Sequence, residues 1–162
     1  MKHYKRGGSS AARQIACPSW QKISEGVPQQ STTSSYAAEG TVLHTCMENI
    51  LEDGAEINDF MGQTFTVDGI EVVIDDDHIE LLTMALMAWD EFCRQNHIED
   101  YRVEQTFEID EDTGGTCDVI AWSDIRVWVL DWKFGQGVEV AAAGSKQAMF
   151  YLMAAEQSDE YK

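Results

Sequence analysis

Apolar and polar positions along this chain repeat with two different periods. From Tyr101 to Ile109 the period is two, with Tyr101, Val103, Phe107 and Ile109 on one side and Arg102, Glu104 and Glu108 on the other. That is the pattern of a half-buried strand. Thr116–Trp122 and Ile125–Lys133, both rich in Val, Ile and Trp, read as two further strands joined through Ser123-Asp124. Between Thr41 and Glu52 the period is helical, and Val42, Leu43, Cys46, Met47, Ile50 and Leu51 form one stripe. A longer helix is expected from a cap at Asp76 or Asp77 through about Gln95. Ile79, Leu82, Leu86, Trp89 and Cys93 would be its buried stripe, with Met84 and Met87 as core filler. Phe65 to Ile74 predicts a small hairpin about Asp68-Gly69. Phe134 to Gly137 reads as a flexible link, and a last helix runs from about Ala141 to Glu156. Residues 1–36 read as an irregular arm with a short helix between Ser9 and Ile23, interrupted near Cys17-Pro18. Residues 37–162 then form the domain.

Asp118, Asp131 and Lys133 fall inside the apolar strands, where a charge is costly unless it is paired or bound to a metal. If Trp122 faces a residue between Ile125 and Val127, antiparallel pairing puts Asp118 opposite Val129, Leu130 or Asp131. Directly opposed Cβ atoms lie about 5 Å apart. Asp131 and Lys133 are two apart and share a strand face. Two carboxylates, with a backbone carbonyl and several waters, suffice for a hard divalent cation. Lys133 could then orient an attacking water or offset charge on a phosphate. The plainer reading is a salt bridge in a β-hairpin. His44 and Glu48 are i and i+4 on the first long helix, and a hydrogen-bonded pair is the plainer reading there too. Gln147 and Tyr151 share a face of the last helix in the same way. Gly115-Thr116-Cys117-Asp118 forms a G-x-x-D just ahead of the acidic strand position, where glycine permits a turn or close backbone approach.

Composition changes this picture in two ways. The chain of 162 residues is 44% hydrophobic and 10% aromatic, enough for a core of its own. No apolar run approaches the ~20 residues that cross a bilayer, and the basic N-terminus is followed by no apolar signal region. Cys17, Cys46, Cys93 and Cys117 are scattered, which favours a reduced, cytoplasmic setting over a zinc site. The 29 acids against 11 bases give a net charge of −18, whereas nucleic-acid binders usually carry a basic footprint. Five of the bases lie among the first 22 positions, which leaves room for a locally positive groove but argues against tight nonspecific DNA binding.

The ordered set H-x-x-x-E (His44, Glu48), G-x-x-D (Asp118), D-x-K (Asp131, Lys133) and Q-x-x-x-Y (Gln147, Tyr151) resembles the signature of the PD-(D/E)xK nuclease superfamily. The segments SSAARQIACPSW, SSYAAEGT and EGTVLHTCMENIL are similar to its RecB-type exonuclease branch of phages and prophages. The resemblance spans roughly Ser9 to Tyr151. It implies an α/β fold with a central mixed β-sheet flanked by helices, a restriction-endonuclease-like core. It further implies metal-dependent hydrolysis of DNA from its ends in phage recombination or replication. Asp118, Asp131 and Lys133 would be catalytic. His44, Asp118, Asp131 and the Trp132 carbonyl would bind Mg²⁺ or Mn²⁺, and Gln147 and Tyr151 would contact DNA. Glu48 would orient His44, and Glu104 either lies near the metal or belongs to a solvated strand face. Family members continue beyond Q-x-x-x-Y, so an incomplete C-terminal flank, a partner subunit or self-association is expected. Iron–sulfur relatives place three cysteines after that motif; none follows Cys117 here, so no cluster is expected. The rival reading is a noncatalytic acidic binding or regulatory protein derived from a nuclease, or one half of a split enzyme.

Overall fold

The computed structural model describes residues 4–25, 27, 33–134, 141–158 and 161. Gly135 to Gly137 and most of the Gln- and Thr-rich part of the arm lie outside them. The arm contributes a 3-10 turn at Gly8–Ser10, then α1 (Ala11–Ala16) and α2 (Trp20–Ser24), with the expected break at Cys17-Pro18. The fold is α/β. Helices α3 (Ser35–Asp53), α4 (Asp76–Asn96) and α5 (Lys146–Gln157) flank two small sheets. One sheet is the hairpin of β1 (Thr64–Val67) and β2 (Ile70–Val73); the other runs in the order β3 (Asp100–Glu108), β4 (Gly114–Ser123), β5 (Arg126–Leu130). Every ladder among these strands is antiparallel. The parallel contact among the described residues is a single bridge, Arg6 to Thr113, that ties the arm to the loop before β4.

Capping explains where the helices depart from the sequence pattern. α3 starts at Ser35, six residues ahead of the expected start at Thr41, because the Ser34 side chain accepts the Ala37 N–H. α4 is capped by Asp75, which accepts the His78 N–H, and not by Asp76 or Asp77, which occupy its first turn. α5 begins at Lys146 behind a Ser145 cap, five residues later than expected. The predicted α4 stripe faces inward, with Leu82 and Trp89 buried. Met84 and Met87 do not: they are 61% and 67% exposed, because the helix covers the sheet with one face only.

The core has three parts. Val42, Leu43, Cys46 and Met47 of α3 pack against the hairpin and Leu82. Trp89 of α4 covers Val119 and Ala121 of the sheet. Tyr151, Ala154 and Ala155 of α5 cover Phe107, Cys117 and Ile120 on the other side. Two odd-numbered neighbours, Cys117 and Val119, thus face opposite helices, although side chains two apart on a regular strand share a face. On β3 the same switch separates Val103, on the α4 side, from Phe107, on the α5 side. The single apolar side predicted for Tyr101, Val103, Phe107 and Ile109 is therefore corrected. Ile109 lies past the strand end and is 38% exposed. The switch occurs at Glu104, whose φ is +48° and which drops out of the ladder between Val103↔Val119 and Gln105↔Cys117. A left-handed conformation costs a non-glycine residue about 1–2 kcal/mol.

A candidate metal centre

The register Val119↔Leu130 places Asp118 directly across from the residue that follows β5, Asp131. This is one of the three pairings the sequence allowed. β5 itself stops at Leu130, so Asp131 and Lys133 sit on an irregular segment and not, as the alternation suggested, on one face of a continuing strand. Tertiary contacts hold them together instead. Lys133 Nζ pairs with Asp131 Oδ2. Gln147 Nε2 donates to Asp131 Oδ1 at 2.8 Å, and Lys133 Nζ donates to Gln147 Oε1 at 3.4 Å. Gln147 thus bridges the acid and the amine of the D-x-K segment.

Asp118 is held separately. Its Oδ2 accepts the Trp132 N–H at 2.5 Å and lies 3.3 Å from His44 Nδ1. The His44 ring meets Phe134 edge-on, with centroids 5.4 Å apart. Burial pulls the His44 pKa down, but the hydrogen bond and charge of Asp118 outweigh it, and the net shift is upward. Burial raises Asp131 against the pull of Lys133, and the Asp118 charge adds to the rise. Glu104 is pushed up to about 7, first by burial and then by the charges of Asp118 and Glu48. It falls in register opposite Asp118, so it belongs to the acidic cluster and not to a solvated strand face.

A cleft of about 660 Å³ is lined by His44, Glu48, Glu104, Asp118, Gln147 and Tyr151, while Asp131 and Lys133 lie behind Gln147 and are not among its lining residues. Tyr151 is 4% exposed, its ring packed against the backbone of Gly8 and Gly115 and its hydroxyl raised to about 12 by burial. A Cβ on Gly8 would come within 2.5 Å of that ring, so glycine is what lets the arm close this wall. Among the described residues the arm adds no lysine or arginine to the cleft, so the locally basic groove the sequence left open is not formed by them. Lys5 pairs with Asp112, and Arg6 with Asp110, at the turn before β4. The described residues lining the cleft include no lysine or arginine.

The donor chemistry fits a hard divalent cation: carboxylates from a strand and from the segment after another, with one imidazole. Burial first, and neighbouring carboxylates second, raise Glu104 and Asp131, and a positive charge in the same place would relieve the carboxylate part of that rise. Among the described residues, no three His, Cys, Asp or Glu side chains converge at ligating distance, and Asp118 and Asp131 each accept a hydrogen bond from a protein donor. The sequence reading missed the arm and the start of α3 as cleft walls. The signals are the Gly7-Gly8 pair and the i, i+4, i+8 row of Tyr36, Gly40 and His44, which an apolar stripe beginning only after Thr41 does not reveal.

No helix among the described residues is long and apolar enough to cross a membrane. The chain has no match among solved structures. Residues 3–161 match a family described as a protein of unknown function, DUF2800. With nearly the whole length covered, the chain belongs to the DUF2800 family.

Proposed function

We propose that this chain is a metal-dependent DNA nuclease of the PD-(D/E)xK type that degrades DNA from its ends. The observation that carries the reading is that two groups drawn from two helices, one strand and the segment after another, His44 with Asp118 and Asp131 with Lys133 and Gln147, lie close enough for their charges to act on each other. A structural ion pair in a hairpin would account for Lys133 and Asp131. It would not account for His44 meeting Asp118, nor for a strained, half-buried Glu104 beside them.

Asp118, Asp131, the Trp132 carbonyl and His44 would hold Mg²⁺ or Mn²⁺. When bound, such an ion polarises the scissile phosphate and lowers the pKa of an attacking water. Lys133, half exposed at the cluster's edge, would donate to that water or to a phosphate oxygen as charge develops. Gln147 fixes the Lys133 amine relative to Asp131, so the cation on the lysine is set before substrate arrives. His44 packs edge-on against Phe134 with its Nδ1 turned toward Asp118.

End-labelled linear DNA and closed circular DNA, incubated with Mg²⁺, Mn²⁺ or EDTA, test the reading. Loss of the linear substrate only with metal, and its disappearance in Lys133→Ala, is the expected result. Cutting of the circle would replace end-dependent with internal cleavage. If neither substrate is cut and no divalent ion binds, the acidic binding protein becomes the better account, a reading favoured by the charge of −18.

A further inference from the structure

The aromatic residue at the mouth of the cleft, Tyr36, carries an inference about which form of DNA enters. Tyr36 is 57% exposed, on the first turn of α3, and lines the same cleft as His44 and Asp118. Tyr36, Gly40, His44 and Glu48 form one i, i+4 row that slants across the helix, and all four line the cleft. At ~1.5 Å of rise per residue, Tyr36 lies about 12 Å along the axis from His44. That is on the order of three stacked nucleotides at ~3.4 Å each.

Gly40 leaves the row open between them. A Cβ there would meet nothing nearer than the Phe134 carbonyl oxygen at 3.7 Å, so only the lack of a side chain keeps this stretch of the cleft clear. Duplex binding depends mainly on neutralising backbone phosphates, and the described cleft lining offers no lysine or arginine for it. Single strands also bind through their phosphates, with a smaller charge dependence than duplex, and stacking of an unpaired base on an aromatic ring adds affinity that a fully paired duplex does not gain.

We propose that Tyr36 is a stacking platform for an unpaired nucleobase and that the cleft takes single-stranded DNA, passing Gly40 on its way to His44. The nature of the polymer rests on the nuclease reading; the stacking is tested apart from cleavage. The probes are a fluorescently labelled oligothymidylate and a blunt hairpin duplex, titrated with the full chain in Ca²⁺. Binding is followed by anisotropy, and cleavage is then started with Mn²⁺.

The single strand should bind at least about tenfold tighter than the duplex. Tyr36→Ala should weaken it by about tenfold, the scale of one lost base stack, while Tyr36→Phe retains it. Gly40→Leu, a change that favours the helix, should block single-strand binding by filling the row. Equal binding of the duplex, or a Tyr36→Ala variant that binds as wild type does, would overturn the proposal whether or not DNA is cut. Selective, Tyr36-dependent binding with no cleavage in Mn²⁺ would sink the nuclease reading and leave the stacking site standing.

Discussion

Glu104 concentrates the tension in this molecule into one side chain. Its backbone is left-handed, its carboxyl is half-buried, and Asp118 and Glu48 press on it electrostatically. With a folded pKa near 7 against 4.5 for a free glutamate, the native chain holds a proton that the unfolded chain has lost. Stability is therefore full below about pH 4.5 and falls as pH rises through about 7, by on the order of 2–3 kcal/mol from this group. Asp131, raised by burial, and His44, raised on balance by Asp118, act in the same sense. Urea unfolding of the metal-free chain should show lower stability at pH 8 than at pH 5. Glu104→Gln should flatten most of that slope; an unchanged slope would mean that the carboxyl ionises freely.

At the scale of elements, two left-handed residues make opposite predictions. The β1–β2 hairpin turns through Asp68 at φ +49° and Gly69 at φ +81°, the mirror-image turn whose twist suits a two-residue hairpin. Gly69→Ala should cost about 1 kcal/mol and lower Tm by about 2–4 °C. α4 ends on His97 at φ +53°, a position that favours glycine, so His97→Gly should gain up to about 1 kcal/mol. Differential scanning calorimetry reads both, and equal signs for the two would contradict this account of the turns. The elements themselves were largely legible. The apolar stripe of α3 and the Asp68-Gly69 turn follow from local spacing and turn chemistry. Spacing left the partner of Trp122 open between Ile125 and Val127, and the structure selects Val127, with the turn at Asp124-Ile125 and not at Ser123-Asp124. The face switch at Glu104 was not legible, because a carboxylate on the polar side of an alternating strand looks like solvated surface until Asp118 is placed opposite it.

Over the whole molecule, charge works against compactness. With 29 acids and 11 bases, the chain repels itself, and two of the bases are already paired at the Asp110–Asp112 turn. Raising NaCl from about 0.01 to about 0.15 M shortens the screening length from ~30 to ~8 Å. Thermal unfolding should accordingly move to higher temperature over that range. A fall in Tm instead would show that favourable ion pairs outweigh the repulsion.

The sequence by itself determined the elements, the α/β class and the order of the residues that carry chemistry. Periodicity, capping chemistry and turn residues act over a few positions, and those positions are adjacent in the chain. Tertiary structure decided what meets. Asp131 and Lys133 are joined by their own ion pair and by Gln147 from α5, and not by a strand face, because β5 ends at Leu130. His44 reaches Asp118 across about seventy positions of sequence, Glu104 enters the cluster through a left-handed kink, and the arm becomes a cleft wall because Gly8 admits the Tyr151 ring. None of these contacts leaves a periodic trace, since each depends on how separate elements pack and not on the spacing within any one of them.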